Sequence, residues 1–177
     1  MIPERNPYIA YAGFSIPLKK DLGSAIIVHF EGHLTPGARF SHCFPVLHVG
    51  IGLVIMDANK GDKIRMVSLA EKCKLFDVEL LPFPTNPERY ARACDEIVRF
   101  EGSPYGTLQL IGEILPMLRI SKNPFDKNTI CSELLAIFIL NCLDESPLAK
   151  RIEADILAIG IDEITPAQIY AILSTTP

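Results

Sequence analysis

The chain has 177 residues, 49% of them apolar. That is enough to bury one substantial core, and a single domain over 1–177 is the expectation because single domains peak at roughly 100–150 residues. A net charge of −4 with no run of Lys or Arg lacks the electrostatic footprint of a nucleic-acid binder and disfavours a polyanionic partner.

Tyr8 and Tyr11 read as an N-terminal strap on the core. SAIIVHF (24–30) is β-branched and apolar and predicts a strand; FSHCFPVL (40–47), GLVIMDA (52–58), KIRMVSL (63–69) and KLFDVELL (74–81) predict four more. Asn59-Lys60-Gly61-Asp62 is a turn between two of these. The second half reads as helices. Asn86-Pro87-Glu88 supplies a cap, a proline at the first helical position and an acid in the first turn. Tyr90, Cys94, Ile97 and Val98 follow at helical spacing, and Gly102-Ser103-Pro104 ends the element. A second apolar segment, TLQLIGEIL, stops at Pro116. The polar SKNPFDKN then leads to a helix that starts near Cys131. Thr165-Pro166-Ala167-Gln168 is a capping box that opens a short last helix. Strands first and helices after predict an α+β domain.

CFPVLHVGIGLVIM (43–56), the longest apolar stretch, is too short to span a membrane and is broken by a proline, a histidine and glycines. MIPERNPYIAYAG carries an acid, an arginine and prolines where a signal peptide has an unbroken apolar run. Five cysteines (43, 73, 94, 131, 142) form no CxxC pair and are an odd number. Neither a disulfide framework nor a zinc cluster fits, and reduced thiols in a cytoplasmic protein without an integral membrane segment are the expectation. Oligomeric state is left open.

One of these cysteines is placed for chemistry. In NTICSELLAIFILNCL (128–143), polar residues lead up to Cys131 and nearly everything after Ser132-Glu133 is apolar. With Asn128 or Thr129 as N-cap, Cys131 lies in the first turn, where unpaired N–H groups and the positive end of the helix dipole favour a thiolate. The competing reading is a buried structural cysteine, the role assigned to Cys43, Cys73, Cys94 and Cys142.

A nucleophilic thiol needs a base, and the base an orienting group. The histidines are His29, His33, His42 and His48. The run from 41 to 58 is too long for one strand of ordinary length, and Gly50 and Gly52 are its only turn-like residues. If the chain reverses at 49–51, residues 42 and 57 lie roughly opposite one another on antiparallel strands. His42 and Asp57 are then within side-chain reach, and His48 sits beside the turn. A slip of one residue would exchange the faces, so register decides the pairing.

Phe40-Ser41-His42, then Asp57-Ala58, then Cys131-Ser132-Glu133-Leu134 occur in that order. The chain so resembles the permuted papain-like amidases, the circularly permuted branch of the NlpC-type cysteine peptidases. That family has an aromatic-Ser-His strand, a strand ending in an acid-Ala pair, and a late Cys-Ser-Glu-Leu helix start. Gly102-Ser103-Pro104-Tyr105 resembles the family's Gly-x-Pro-Tyr turn, and the Thr-Pro-Ala-Gln-Ile tail its Thr-Pro segment. The likeness spans roughly residues 22 to 170. Two departures stand out. The acid is Asp57 where glutamate is usual, and the family's His-Val-Gly-Ile string appears literally at His48. The base is His42 if the spacing to Asp57 governs, and His48 if the literal string does.

The resemblance implies a papain-like NlpC-type fold in permuted order, an antiparallel sheet or barrel followed by packed helices. It implies a cysteine-dependent amidase or peptidase acting on a peptide-like substrate, with Cys131 as nucleophile, His42 as base and Asp57 orienting it. The Cys131 N–H would help hold the oxyanion, and Tyr105 would line the substrate site. Neither metal nor cofactor is called for. The alternatives are a thiol acyltransferase or lipid esterase acting on an acyl substrate at the same site, and a non-catalytic binding protein that keeps the fold. His29-Phe-Glu31-Gly-His33 admits a metal reading, because alternate strand residues share a face. It supplies only three local ligands, and a polar strand end is preferred.

Overall fold

The computed structural model describes residues 6–19, 39–50, 52–57, 63–104 and 131–175. The expected 24–30 strand, the 59–62 turn, the TLQLIGEIL segment, His29, His33, Tyr105 and the Asn128/Thr129 cap lie outside them. The described chain is α+β. Five strands, β1 (Ile9–Pro17), β2 (His42–Val49), β3 (Gly52–Asp57), β4 (Arg65–Ser68) and β5 (Phe76–Pro84), form one sheet in the order β4-β3-β2-β1-β5. Every pairing is antiparallel. A one-turn helix, α1 (Leu69–Lys72), links β4 to β5. Helices α2 (Pro87–Val98), α3 (Cys131–Cys142), α4 (Pro147–Ile159) and α5 (Pro166–Ser174) follow.

The first strand corrects the sequence reading. Residues 9–17 are no strap: β1 pairs with β2 on one side and β5 on the other. Its period-2 signal is muted because two of the three residues it turns to the main core are alanines. Ala10, Ala12 and Phe14 join the main core. Gly13 between them leaves room for Phe44, whose ring atoms would stand 2.0–2.8 Å from an added Cβ. Helix α4 also goes beyond the sequence reading, although Ser146-Pro147 opens it as Asn86-Pro87 and Thr165-Pro166 open α2 and α5. In all three the cap side chain accepts a hydrogen bond from the backbone N–H three residues on, and proline follows it. The capping box read at Thr165 and Gln168 is present with both of its hydrogen bonds.

The β2–β3 reversal uses two residues. Val49 pairs with Gly52, and Gly50 takes φ +59°, the left-handed conformation that such a tight hairpin requires at its first turn position. Alternate residues of β2 then divide between two cores. Cys43 and Leu47 face the larger one, shared with α3, whereas Phe44 and Val46 face a smaller one with Leu53, Ile55 and Leu69. Helix α3 is buried along most of its length and packs against β2 and α2. Its breadth of apolar contact anchors the Cys131 end against the sheet.

Candidate functional site

Hairpin register sets the first link of the site. Pairing of Val46 with Ile55 and Leu47 with Val54 carries Asp57 opposite Phe44, not opposite His42. His42 and Asp57 are thus a diagonal pair on one face, and their side chains close the gap. His42 Nε2 lies 2.8 Å from Asp57 Oδ1, and both residues are buried. The opposition expected for residues 42 and 57 is corrected by this two-residue offset, which preserves the shared face.

A second group, Lys72, meets the same carboxylate. Its Nζ donates to Asp57 Oδ1 at 2.8 Å, and only 4% of the residue is exposed. The ammonium also sits over the Phe76 ring, 4.0 Å from its centroid. Sequence reading passed over Lys72, because a lysine in the stretch Leu69-Ala70-Glu71-Lys72 has the signature of a solvated turn. No signal in the residue types marks it as buried.

The thiol reaches the imidazole from the α3 side. Cys131 is buried and hydrogen-bonded to His42, and it also accepts from the thiol and backbone N–H of Cys43. With Nε2 committed to Asp57, Nδ1 is the nitrogen left to exchange a proton with the sulfur. Cysteine, histidine and aspartate therefore form one connected chain. His48 stands elsewhere, beside the hairpin turn. Its backbone N–H donates to the Tyr90 hydroxyl at 2.9 Å, and its ring lies between those of Tyr11 and Tyr90.

Electrostatics favour charge separation here. The hydrogen bond from the Cys43 thiol is the largest influence on Cys131, and with His42 it outweighs the cost of burial. The Cys131 pKa is held well below the ordinary thiol value. Burial pushes His42 down most strongly. Attraction to Cys131 and hydrogen bonds to Asp57 and Cys131 together prevail, so its pKa is raised. Burial likewise pushes Asp57 up, but His42 and Lys72 override it and bring the carboxyl to about 2. By contrast, burial raises the thiols of Cys94 and Cys142. Cys73 corrects the sequence reading: it is exposed, because the α1 turn directs it away from both cores.

The Gly102-Ser103-Pro104 segment returns to the sheet just ahead of β4. Ile64 N–H donates to Ser103 O at 2.9 Å, and Gly102 N–H donates to Ile64 O at 2.8 Å. Tyr105, the expected substrate-side residue, lies beyond the described residues. Among the described residues no group of three or more His, Cys, Asp or Glu is arranged to hold a metal ion, and no helix is long and apolar enough to cross a membrane. No family model matches the chain, and no curated protein or solved structure matches it either.

Proposed function

We propose that the protein is a cysteine hydrolase of the permuted papain-like type, cleaving an amide bond in a peptide-like substrate. The observation that carries this reading is the buried chain from the Cys131 thiol through His42 to Asp57. A thiol held as thiolate beside a protonated imidazole is a nucleophile with its proton donor in place. Cys131 Sγ attacks the carbonyl carbon, the C–O double bond opens to an oxyanion, and His42 gives its proton to the departing amine. Water, deprotonated by the now neutral His42, then releases the acid and restores the thiol. Asp57 keeps the ring in the tautomer and orientation both steps need. The order of elements supports the permuted fold: the strands bearing the base and the acid precede the helix bearing the thiol.

The same residues would serve a thiol acyltransferase or lipid esterase if the acceptor or acyl group differed. A panel of peptide amides and acyl esters, with and without added amines, separates the cases. Release of free acid with a transient adduct on Cys131 is the expected result. An adduct that turns over only when an amine is supplied would replace hydrolysis with transfer. No adduct from any donor, despite a reactive thiol, would leave a binding protein that keeps the fold.

A further inference from the structure

A lysine ammonium with almost no contact with water is costly unless its charge is matched. Lys72 is matched by Asp57 alone among the hydrogen bonds it makes to described residues, and the Phe76 and Phe44 rings lie 4.0 and 5.6 Å from its ammonium. A structural ion pair could sit anywhere on the sheet. This one shares the very oxygen, Oδ1, that faces His42 Nε2. The carboxylate is therefore gripped from two directions through one atom, from β2 and from α1.

We propose that Lys72 is a positioning residue of this site: its buried ammonium holds Asp57 against the His42 ring and tempers, by its own charge, the imidazolium formed there. The inference rests on the functional reading above. Asp57 alone would stabilise the imidazolium so far that it gives up its proton reluctantly. A second cation beside the carboxylate offsets part of that attraction, which eases delivery of the proton to the leaving amine. Among the described residues, the charged or titratable groups around His42 are Asp57 on β3, Lys72 on α1, Cys131 on α3 and, next to Cys131, Cys43 on β2. Arg65 on β4 is opposite Asp57 in register and is exposed.

Two readouts test the proposal. In a Cys131→Ala background, which uncouples the ring from the thiol, the His42 ring proton is titrated by NMR with and without Lys72→Met. Loss of the cation should move the His42 titration to higher pH, and an unchanged or lower midpoint would overturn the proposal. In the protein with Cys131 intact, Lys72→Met should slow turnover of a peptide p-nitroanilide by up to about 10²-fold, because the more basic imidazolium gives up its proton less readily to the leaving amine. Asp57→Asn/Lys72→Met should be no slower than Asp57→Asn, since the lysine acts through the carboxylate. The double variant removes both charges of the buried pair, so it remains informative if the single variant fails to fold. A further loss of rate in it would count against positioning through Asp57. If the wild-type protein forms no adduct on Cys131, the functional reading fails, while the His42 titration still decides what Lys72 does.

Discussion

His42 and Asp57 meet on the diagonal of a hairpin, two positions out of register, through a 2.8 Å contact sealed from solvent. Neutralising the carboxylate of this contact has a defined consequence. Asp57→Asn should cost about 3–5 kcal/mol by leaving the buried Lys72 ammonium unmatched, and in the folded protein it should slow acylation by roughly 10²–10⁴, the range for a base that has lost its orienting partner. Stopped-flow measurement of adduct formation on Cys131 checks this, and a rate within twofold of wild type would separate Asp57 from the chemistry.

Cys131 should be the thiol most reactive to a small electrophile at mildly acid pH. An ordinary thiol is protonated near pH 6 and reacts slowly there, whereas the Cys43 and His42 hydrogen bonds hold the Cys131 thiol well below the ordinary thiol value. Brief, substoichiometric iodoacetamide at pH 6 followed by peptide mass spectrometry should locate the label mainly on Cys131. Cys73 is the informative competitor because it is exposed, and preferential labelling there would show that access outweighs thiolate character.

The two histidines of β2 should part company on substitution. His42→Ala should lower turnover by about 10²–10⁴ and suppress acid-range alkylation of Cys131. His48→Ala should leave alkylation intact and act on stability, by about 1 kcal/mol, since its ring packs with those of Tyr11 and Tyr90 away from Cys131. The opposite pattern in alkylation rates would transfer the base to His48.

Stability should carry an acid-range signature of Asp57. Its carboxyl lies at about 2 in the folded protein against the ordinary aspartate value of 3.8. The folded pKa is the lower one, so the contribution is present above pH 4 and lost as the pH falls from about 4 through 2. The amount is roughly 2 kcal/mol. Urea unfolding at pH 3 and pH 6 should show about half of that decrement in the wild type and a smaller one in Asp57→Asn.

Gly13 should resist substitution. An added Cβ would stand 2.0 Å from the Phe44 ring, and Phe44 is itself packed in the smaller core within 5.8 Å of the His42 ring. Gly13→Ala should cost about 1–3 kcal/mol through overpacking, measured as a lowered urea midpoint. It should also slow acylation, because a displaced Phe44 ring disturbs the His42 ring it packs with.

Legibility followed the strength of local chemistry. Asn86-Pro87 and Thr165-Pro166 announced their helices because a capping side chain and a proline each act within one turn. Gly50 announced the hairpin because few other residues adopt its φ. That hairpin brought His42 and Asp57 to one face before any tertiary contact was known. Residues 9–17 were hidden by their own packing, since Ala10, Ala12 and Gly13 are small where neighbouring side chains are large. Lys72 was hidden for a different reason: burial of a lysine depends on a partner that lies on another element, and no pattern within four residues encodes that.

The site also has an asymmetry in its assembly. Base, acid and lysine are joined by links of only fifteen residues each, all within strands β2 to β4 and the α1 turn that follows them, so their loops close at little entropic cost. The thiol arrives from the far half of the chain on a helix held by its apolar faces. The orienting half can therefore form early and persist, but it has nothing to activate until α3 docks. Partial undocking of α3 would silence the protein while leaving the His42–Asp57–Lys72 unit whole. The acid-range reactivity of Cys131 is accordingly a gauge of how much of the population has its two halves joined.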